Sequence, residues 1–232
     1  MNPLPFEIRS YTEADDRIPL DDGAVHLWHL DLAGAGAPAS ALAVLSAAER
    51  ARAESYRHEP SRLQFIHGRA TLRRLLSRYE GADPAGFQLT CIHGEKPRLP
   101  DVAQIHFNLS HAGSCVLLAF SRSGPLGVDI EPLTPPENFL ELAKISFSSA
   151  ELESLRQFPS AGRGCAFLAG WTRKEAVVKA LGRGIDDGFR SFTVSLDIRE
   201  TSPSLDWPDG LNLELRSFSF PGYLAALAFS RG

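Results

Sequence analysis

The chain has 232 residues, 44% apolar and 22% charged, which suits one ordinary globular domain or two small halves sharing an interface and is too apolar for disorder. With 24 basic and 28 acidic side chains the formal net charge is −4, so there is no electropositive coat to hold nucleic acid. The longest apolar runs, Cys115 to Phe120 and Tyr223 to Phe229, are strand-length and too short to cross a bilayer. The opening MNPLPFEIRS has no basic segment ahead of an apolar core, and Cys91, Cys115 and Cys165 are odd in number and far apart. The expectation is a cytoplasmic protein with neither a disulfide framework nor a cysteine metal cluster.

In chain order, Val25 to Leu32 alternates as a strand, and Ala41 to Tyr56 reads as a helix with Ser40 as its N-cap. Leu63, Phe65, Ile66, Ala70, Leu72, Leu75 and Leu76 give a second helix to about Tyr79, broken by Gly81 to Gly86. Short strands are expected at Phe87 to Cys91, Ile105 to Leu109, Ser114 to Ser121 and Leu126 to Glu131, separated by proline and glycine turns. After the PLTPPEN linker come helices at Phe139 to Ile145, Ser149 to Gln157 and Cys165 to Leu181, the last closed by Gly182 and Gly184. Strands near Phe192 to Ile198, Leu211 to Phe218 and Tyr223 to Phe229 end the chain. Mixed elements without strict βαβ alternation favour an α+β fold. The expected division is two similarly built halves, residues 1–124 and 125–232, related by a pseudo-twofold axis.

Three segments carry chemistry. In Gly127-Val-Asp-Ile-Glu131, Asp129 and Glu131 sit at i and i+2 and share one strand face, with Val128 and Ile130 on the other. Such a pair is either a solvated strand face or part of a hard divalent-cation site with room for phosphate. In Trp171-Thr-Arg-Lys-Glu-Ala-Val-Val-Lys179, Trp171, Glu175 and Lys179 fall on one helical stripe, either a surface ion pair or the wall of a pocket. In Phe107-Asn-Leu-Ser-His111, Ser110 and His111 are expected at a turn suited to binding an anion. Basic side chains are nearly all arginine, so the four lysines, Lys96, Lys144, Lys174 and Lys179, stand out. The histidines other than His111 show no metal-ligand spacing and are read as structural.

The succession GEKPRLP, FNLSH, GVDIE, F-S-x-x-E and W-T-x-K-E-A-x-x-K-x-x-G resembles the Sfp-type 4′-phosphopantetheinyl transferases, over roughly Glu49 to Phe192. The length suits that monomeric, two-half class. The resemblance implies transfer of phosphopantetheine from coenzyme A to a serine of an apo acyl or peptidyl carrier protein, with release of adenosine 3′,5′-bisphosphate. It implies Mg²⁺, with Mn²⁺ as a second candidate, held by Asp129, Glu131 and Glu175. Glu175 and Lys179 would be catalytic. Ser110, His111 and Lys179 would hold coenzyme A phosphates, and Lys96 and Pro97 would lie against the adenine. Glu151 matches a family acid without an assigned role. Two positions depart from the pattern: Glu95 stands where the family usually has glycine, and Gln64 where an arginine often precedes the Phe-aliphatic pair. The 3′-phosphate anchor is then expected at Arg62 or Arg69. The linker from Pro132 to Asn138 and the helix after it are the expected carrier-docking surface. Nucleic acid and membrane are not expected partners. The competing readings are another Mg²⁺-dependent phosphoryl-transfer enzyme and a non-catalytic module that binds coenzyme A or the carrier.

Overall fold

The computed structural model describes residues 6–12, 16–36, 39–89, 99, 104–182, 188–206 and 213–230. The elements follow the order β1 (Phe6–Ser10), β2 (Val25–Asp31), α1 (Ala39–Ala43), α2 (Ala47–Ser55), α3 (Glu59–Glu80), β3 (His106–Ala112), β4 (Cys115–Ser121), β5 (Leu126–Pro132), α4 (Phe139–Ser146), α5 (Ser149–Gln157), α6 (Arg163–Ala180), β6 (Thr193–Val194), β7 (Leu205–Asp206), β8 (Leu213–Phe220) and β9 (Tyr223–Ser230). The mixture is α+β, as the sequence indicates.

One sheet runs β1-β2-β4-β3, parallel at β1–β2 and antiparallel elsewhere; a second runs β5-β9-β8, all antiparallel. The two-residue periodicity of β4 sorts its side chains between two cores. Leu117 and Ala119 meet Val128, Ile130, Leu227 and Phe229 between the sheets. Val116, Leu118 and Phe120 meet Leu72, Leu75, Leu76 and Tyr79 of α3 on the far side. In the second sheet, Ala226 and Ala228 of β9 alternate with their inward neighbours and pack on Ala176, Val177 and Ala180 of α6. The layers therefore run α3, first sheet, second sheet, α6. Within the helical array, Arg73 Nε holds Glu49 Oε2 at 2.8 Å, a buried pair between α3 and α2.

Several expectations are corrected. The single helix over Ala41 to Tyr56 is two helices. Ser46, extended at ψ 162°, ends the first and caps the second in a reciprocal box with Glu49, so Ser40 lies inside α1 and caps nothing. The S-A-A-E spacing was the available signal. Phe87 to Leu89 forms no strand, while Thr90 and Cys91 lie outside the described residues. The expected strand over Phe192 to Ile198 contracts to Thr193–Val194, whose partner is the unexpected Leu205–Asp206. β1 was also unexpected. Gly182, at φ 66°, closes α6, and Gly184 lies outside the described residues.

Gly127 has a role that neither the pleat nor a turn explains. A Cβ there would run into the Ala176 carbonyl oxygen and the Ala180 amide nitrogen of α6. Because backbone cannot yield as a flexible side chain can, β5 approaches α6 only through glycine. Gly127→Ala is expected to cost more than ~2 kcal/mol of stability by overpacking, measured by urea unfolding.

His26 is structural, as expected, and buried. The Trp28 indole N–H donates to Tyr79 Oη at 2.8 Å, and Tyr79 Oη lies 2.9 Å from His26 Nδ1. Desolvation, and then the Arg9 charge, lower the imidazole from 6.5 to about 4. Between those values the unfolded chain binds a proton that the fold refuses. This contribution is intact above pH 6.5 and is lost as pH falls toward 4, by up to ~3 kcal/mol. Denaturant titrations on either side of that window should show the loss, and His26→Gln should flatten it.

Candidate active site

The cavity that gathers the sequence-selected residues lies where β3 meets β5 and α6. β3 is the edge of the first sheet, and its Asn108 Oδ1 accepts the Val128 N–H of β5 at 2.9 Å. That bond sets the two strands in contact across the sheet boundary. Tyr223 of β9 accepts the Ser114 N–H at 3.2 Å, and Gln64 of α3 donates to the Gly113 carbonyl, so the β3–β4 turn is held from β9 on one side and α3 on the other. Gln64, the departure from the arginine pattern, is thereby a strut for this turn. Gly113 takes φ 52°, the left-handed conformation the turn requires. Ser110 and His111, expected in the turn, lie within β3 instead, one residue short of its end.

Ser110, His111, Asp129, Glu131, Glu175 and Lys179 all line one cavity of about 280 Å³, with Trp171 on its wall. The strand and helix periods explain this. Val128 and Ile130 are consumed by the core between the sheets, which turns Asp129 and Glu131 toward α6. Residues 171, 175 and 179 stand one above another on the facing stripe of α6. Of the two readings of that stripe, pocket wall or surface pair, the first is correct.

Asp129 is buried. Its Oδ1 accepts Ser110 Oγ–H at 2.9 Å and lies 2.5 Å from Lys179 Nζ, which also donates to Ser110 Oγ at 3.1 Å. Asp129 Oδ2 is buried without a hydrogen-bond partner. Trp171 Nε1 donates to Glu131 Oε1 at 3.2 Å. Desolvation and then the Asp129 charge push Glu131 up to about 7, with Glu175 adding to the rise and Trp171 and Lys179 opposing it. Desolvation at the cavity wall, then the positive Lys179, holds His111 below the ordinary histidine value although the residue reaches solvent. Among the described residues that line the cavity, three carboxylates are crowded together beside the ammonium of Lys179.

Among the described residues, no three His, Cys, Asp or Glu side chains form a ready-made metal group. In this arrangement Lys179 is the cation seated on Asp129. The donor chemistry still fits a hard divalent ion: oxygen ligands in one cavity, one buried carboxylate oxygen unsatisfied, and repulsion that an added cation would relieve. Arg69 and Arg62, the anchor candidates, lie outside this cavity. Arg69 is buried with Nη1 unpartnered, whereas Arg62 is engaged with Glu59 at 2.7 Å on the surface. Lys96 and Pro97 fall outside the described residues.

Sequence reasoning left Glu151 without a role. It is buried, caps α5 through Ser148, and pairs with Lys174 at 2.9 Å. Burial lowers the Lys174 ammonium and the Glu151 charge opposes that. The periodicity of α6 was the available signal, since Lys174 falls off the cavity stripe.

The family model described as the 4′-phosphopantetheinyl transferase superfamily matches residues 125–228, the stretch holding the three acids and Lys179. The chain is 36% identical over 168 residues to the 4′-phosphopantetheinyl transferase HetI of Nostoc sp., covering 69% of this chain and 70% of that protein. The chain belongs to this superfamily. It is also 30% identical over 168 residues to the 4′-phosphopantetheinyl transferase Sfp of Bacillus subtilis, covering 72% of this chain and 73% of that one. A Synechocystis sp. relative is 36% identical over 148 residues, 63% of this chain and 60% of its own length. Among the described residues, no helix is long and apolar enough to cross a membrane.

Ser110→Ala would leave Asp129 with one donor fewer and loosen Lys179. The expected result is a roughly tenfold loss of turnover with about 1 kcal/mol of stability, checked by steady-state kinetics alongside thermal unfolding.

Proposed function

We propose that this member of the superfamily transfers 4′-phosphopantetheine from coenzyme A to the serine hydroxyl of an apo acyl or peptidyl carrier protein, with Mg²⁺ or Mn²⁺ as cofactor. The observation that carries the reading is the convergence of Asp129, Glu131, Glu175 and Lys179 on one cavity from two different elements. The serine Oγ bonds to the β-phosphorus of coenzyme A while the bridging P–O bond breaks, and adenosine 3′,5′-bisphosphate departs with that oxygen. Such chemistry requires positioning and charge neutralisation more than covalent help.

Asp129, Glu131 and Glu175 would hold the divalent ion, which when bound neutralises charge on the diphosphate. Glu175, 8% exposed on the stripe of α6, takes the serine proton. Lys179 steadies the phosphate from the ammonium that now holds Asp129 and Ser110. Ser110 and His111 face the same space from β3 and bind phosphate oxygens, with His111 neutral and able to donate from one ring nitrogen. The unpartnered Nη1 of Arg69 supports that residue, rather than Arg62, as the 3′-phosphate anchor. Lys96 and Pro97 complete the adenine side. Residues 1–124 thus serve the nucleotide, and residues 125–232 the chemistry and the carrier. The enzyme works as a cytoplasmic monomer.

The test is mass spectrometry of an apo carrier protein incubated with the enzyme, coenzyme A and Mg²⁺. A gain of one phosphopantetheine group is expected, abolished by chelation and restored by Mg²⁺. Asp129→Ala and Glu175→Gln should each lower kcat by about 10²–10³. Binding of coenzyme A without mass gain on fatty-acid, polyketide or peptide-synthetase carriers would instead identify a non-catalytic binding module.

A further inference from the structure

Glu151 and Lys174 are singled out in the sequence, yet none of the chemistry above uses them. Both side chains are fully buried, with Lys174 Nζ 2.9 Å from Glu151 Oε2. An ammonium has three protons. Besides Glu151, Lys174 donates to the carbonyl oxygens of Phe189 at 2.5 Å and Phe192 at 2.7 Å, with Nζ 4.2 Å from the centre of the Phe192 ring. Glu151 Oε1 accepts the Val194 N–H at 2.8 Å, and Oε2 accepts the Ser148 N–H at 2.7 Å. Every donor on Lys174 is spent, so neither residue is available to a substrate. Stability alone is a weak reason for such a pair, because well-packed apolar residues often replace a buried ion pair without loss.

What the pair grips explains it better. Phe189–Ser191 is a single 3-10 turn and Thr193–Val194 a two-residue strand, elements too short to satisfy their own buried carbonyls, which take donors from elsewhere. That segment presents Phe189 to Trp171, ring centres 5.6 Å apart, and the Trp171 indole is the group that holds Glu131. Trp171 also borders a second cavity of about 530 Å³, walled by Ile145, Ser146 and residues 188–191. Phe167, one turn back on α6, packs on the same indole at 5.7 Å, so of the two rings that bracket Trp171, Phe189 is the one carried by the segment the buried pair grips.

We propose that Lys174 and Glu151 are positioning residues of the transfer site: their buried pair fixes the wall at Phe189 and Phe192, which keeps Trp171 bonded to Glu131. The proposal rests on the transferase reading for its kinetic consequence. Its structural consequence can be read without activity.

Two variants test it. Lys174→Met combined with Glu151→Gln removes both charges at similar volume, and Phe189→Leu removes the aromatic contact while leaving the pair in place. In each, kcat should fall about tenfold or more, with the KM for coenzyme A within about threefold of wild type. The indole N–H resonance of Trp171, identified by its loss in Trp171→Phe, should shift or broaden. Wild-type kcat in a folded double variant, or a lowered kcat with an unmoved indole resonance, overturns the proposal. If the double variant does not fold, Phe189→Leu decides by the same two readouts. An inactive wild-type enzyme would defeat the transferase reading, while the indole resonance would still report on the positioning.

Discussion

Crowding of negative charge in a half-dry cavity is the constraint on which the site depends. Asp129, Glu131 and Glu175 share about 280 Å³, and desolvation, then repulsion from the neighbouring acids, raises Glu131 to about 7. Leaving a carboxylate buried and unpaired would cost several kcal/mol. Lys179 and Ser110 meet that cost on one oxygen of Asp129 and leave the other unsatisfied. Asp129 is therefore held by an internal cation, Lys179, through one of its two oxygens. An ammonium that neutralises a buried carboxylate is a compact point charge on a flexible stem, so Lys179 can hold Asp129 and Ser110 together from one position.

The fold supplies this crowding through two periods meeting at a glycine. β5 divides its residues by twos, with Val128 and Ile130 to the inter-sheet core and Asp129 and Glu131 to the helix side. α6 divides its residues by fours, which brings 171, 175 and 179 to the strand. The two elements come close enough for acids on each to share one cavity because Gly127 lets the backbone of α6 approach. Asn108, bridging from the first sheet to Val128, brings Ser110 to the same point. The site is thus made where the two sheets and α6 meet rather than within any one of them.

Much of this was legible in the sequence because it depends on local repeats. The i, i+2 acids and the i, i+4, i+8 stripe need only the strand and helix periods, and both were read in the right places. The bounds of α5 are the expected Ser149 and Gln157, and the structure adds their cause at the start, a reciprocal box between Ser148 and Glu151. The misses have non-local causes. β1 exists because β2 offers it an edge, and β6 is short because Leu205–Asp206 is all that pairs with it. Ser110 and His111 read as a turn because Ala112-Gly113 follows; pairing with Leu117 and Val116 carries the strand through them. The long helix over residues 41–56 was divided by Ser46, whose capping box looks like ordinary helical polarity unless spacing to Glu49 is weighed.

The two lysines of α6 show what periodicity alone could not separate. Lys174 and Lys179 are five residues apart, about 140° around the helix, so they leave on different faces. One reaches the cavity and the carboxylate of Asp129; the other enters a closed wall and a carboxylate with no solvent access. Arg173 joins the second group. It donates to Ser217 Oγ and to the carbonyls of Ser195, Asp197 and Glu200, and burial lowers it to about 10. A helix buried almost all round would ordinarily be apolar all round. Here its off-stripe cations satisfy carbonyls between residues 189 and 200, where a single 3-10 turn and a two-residue strand leave them without sheet partners. The same helix therefore lines the cavity with three residues and holds the surrounding wall with two more, and only the partner's chemistry, carboxylate at a cavity or backbone carbonyl in the wall, distinguishes one task from the other.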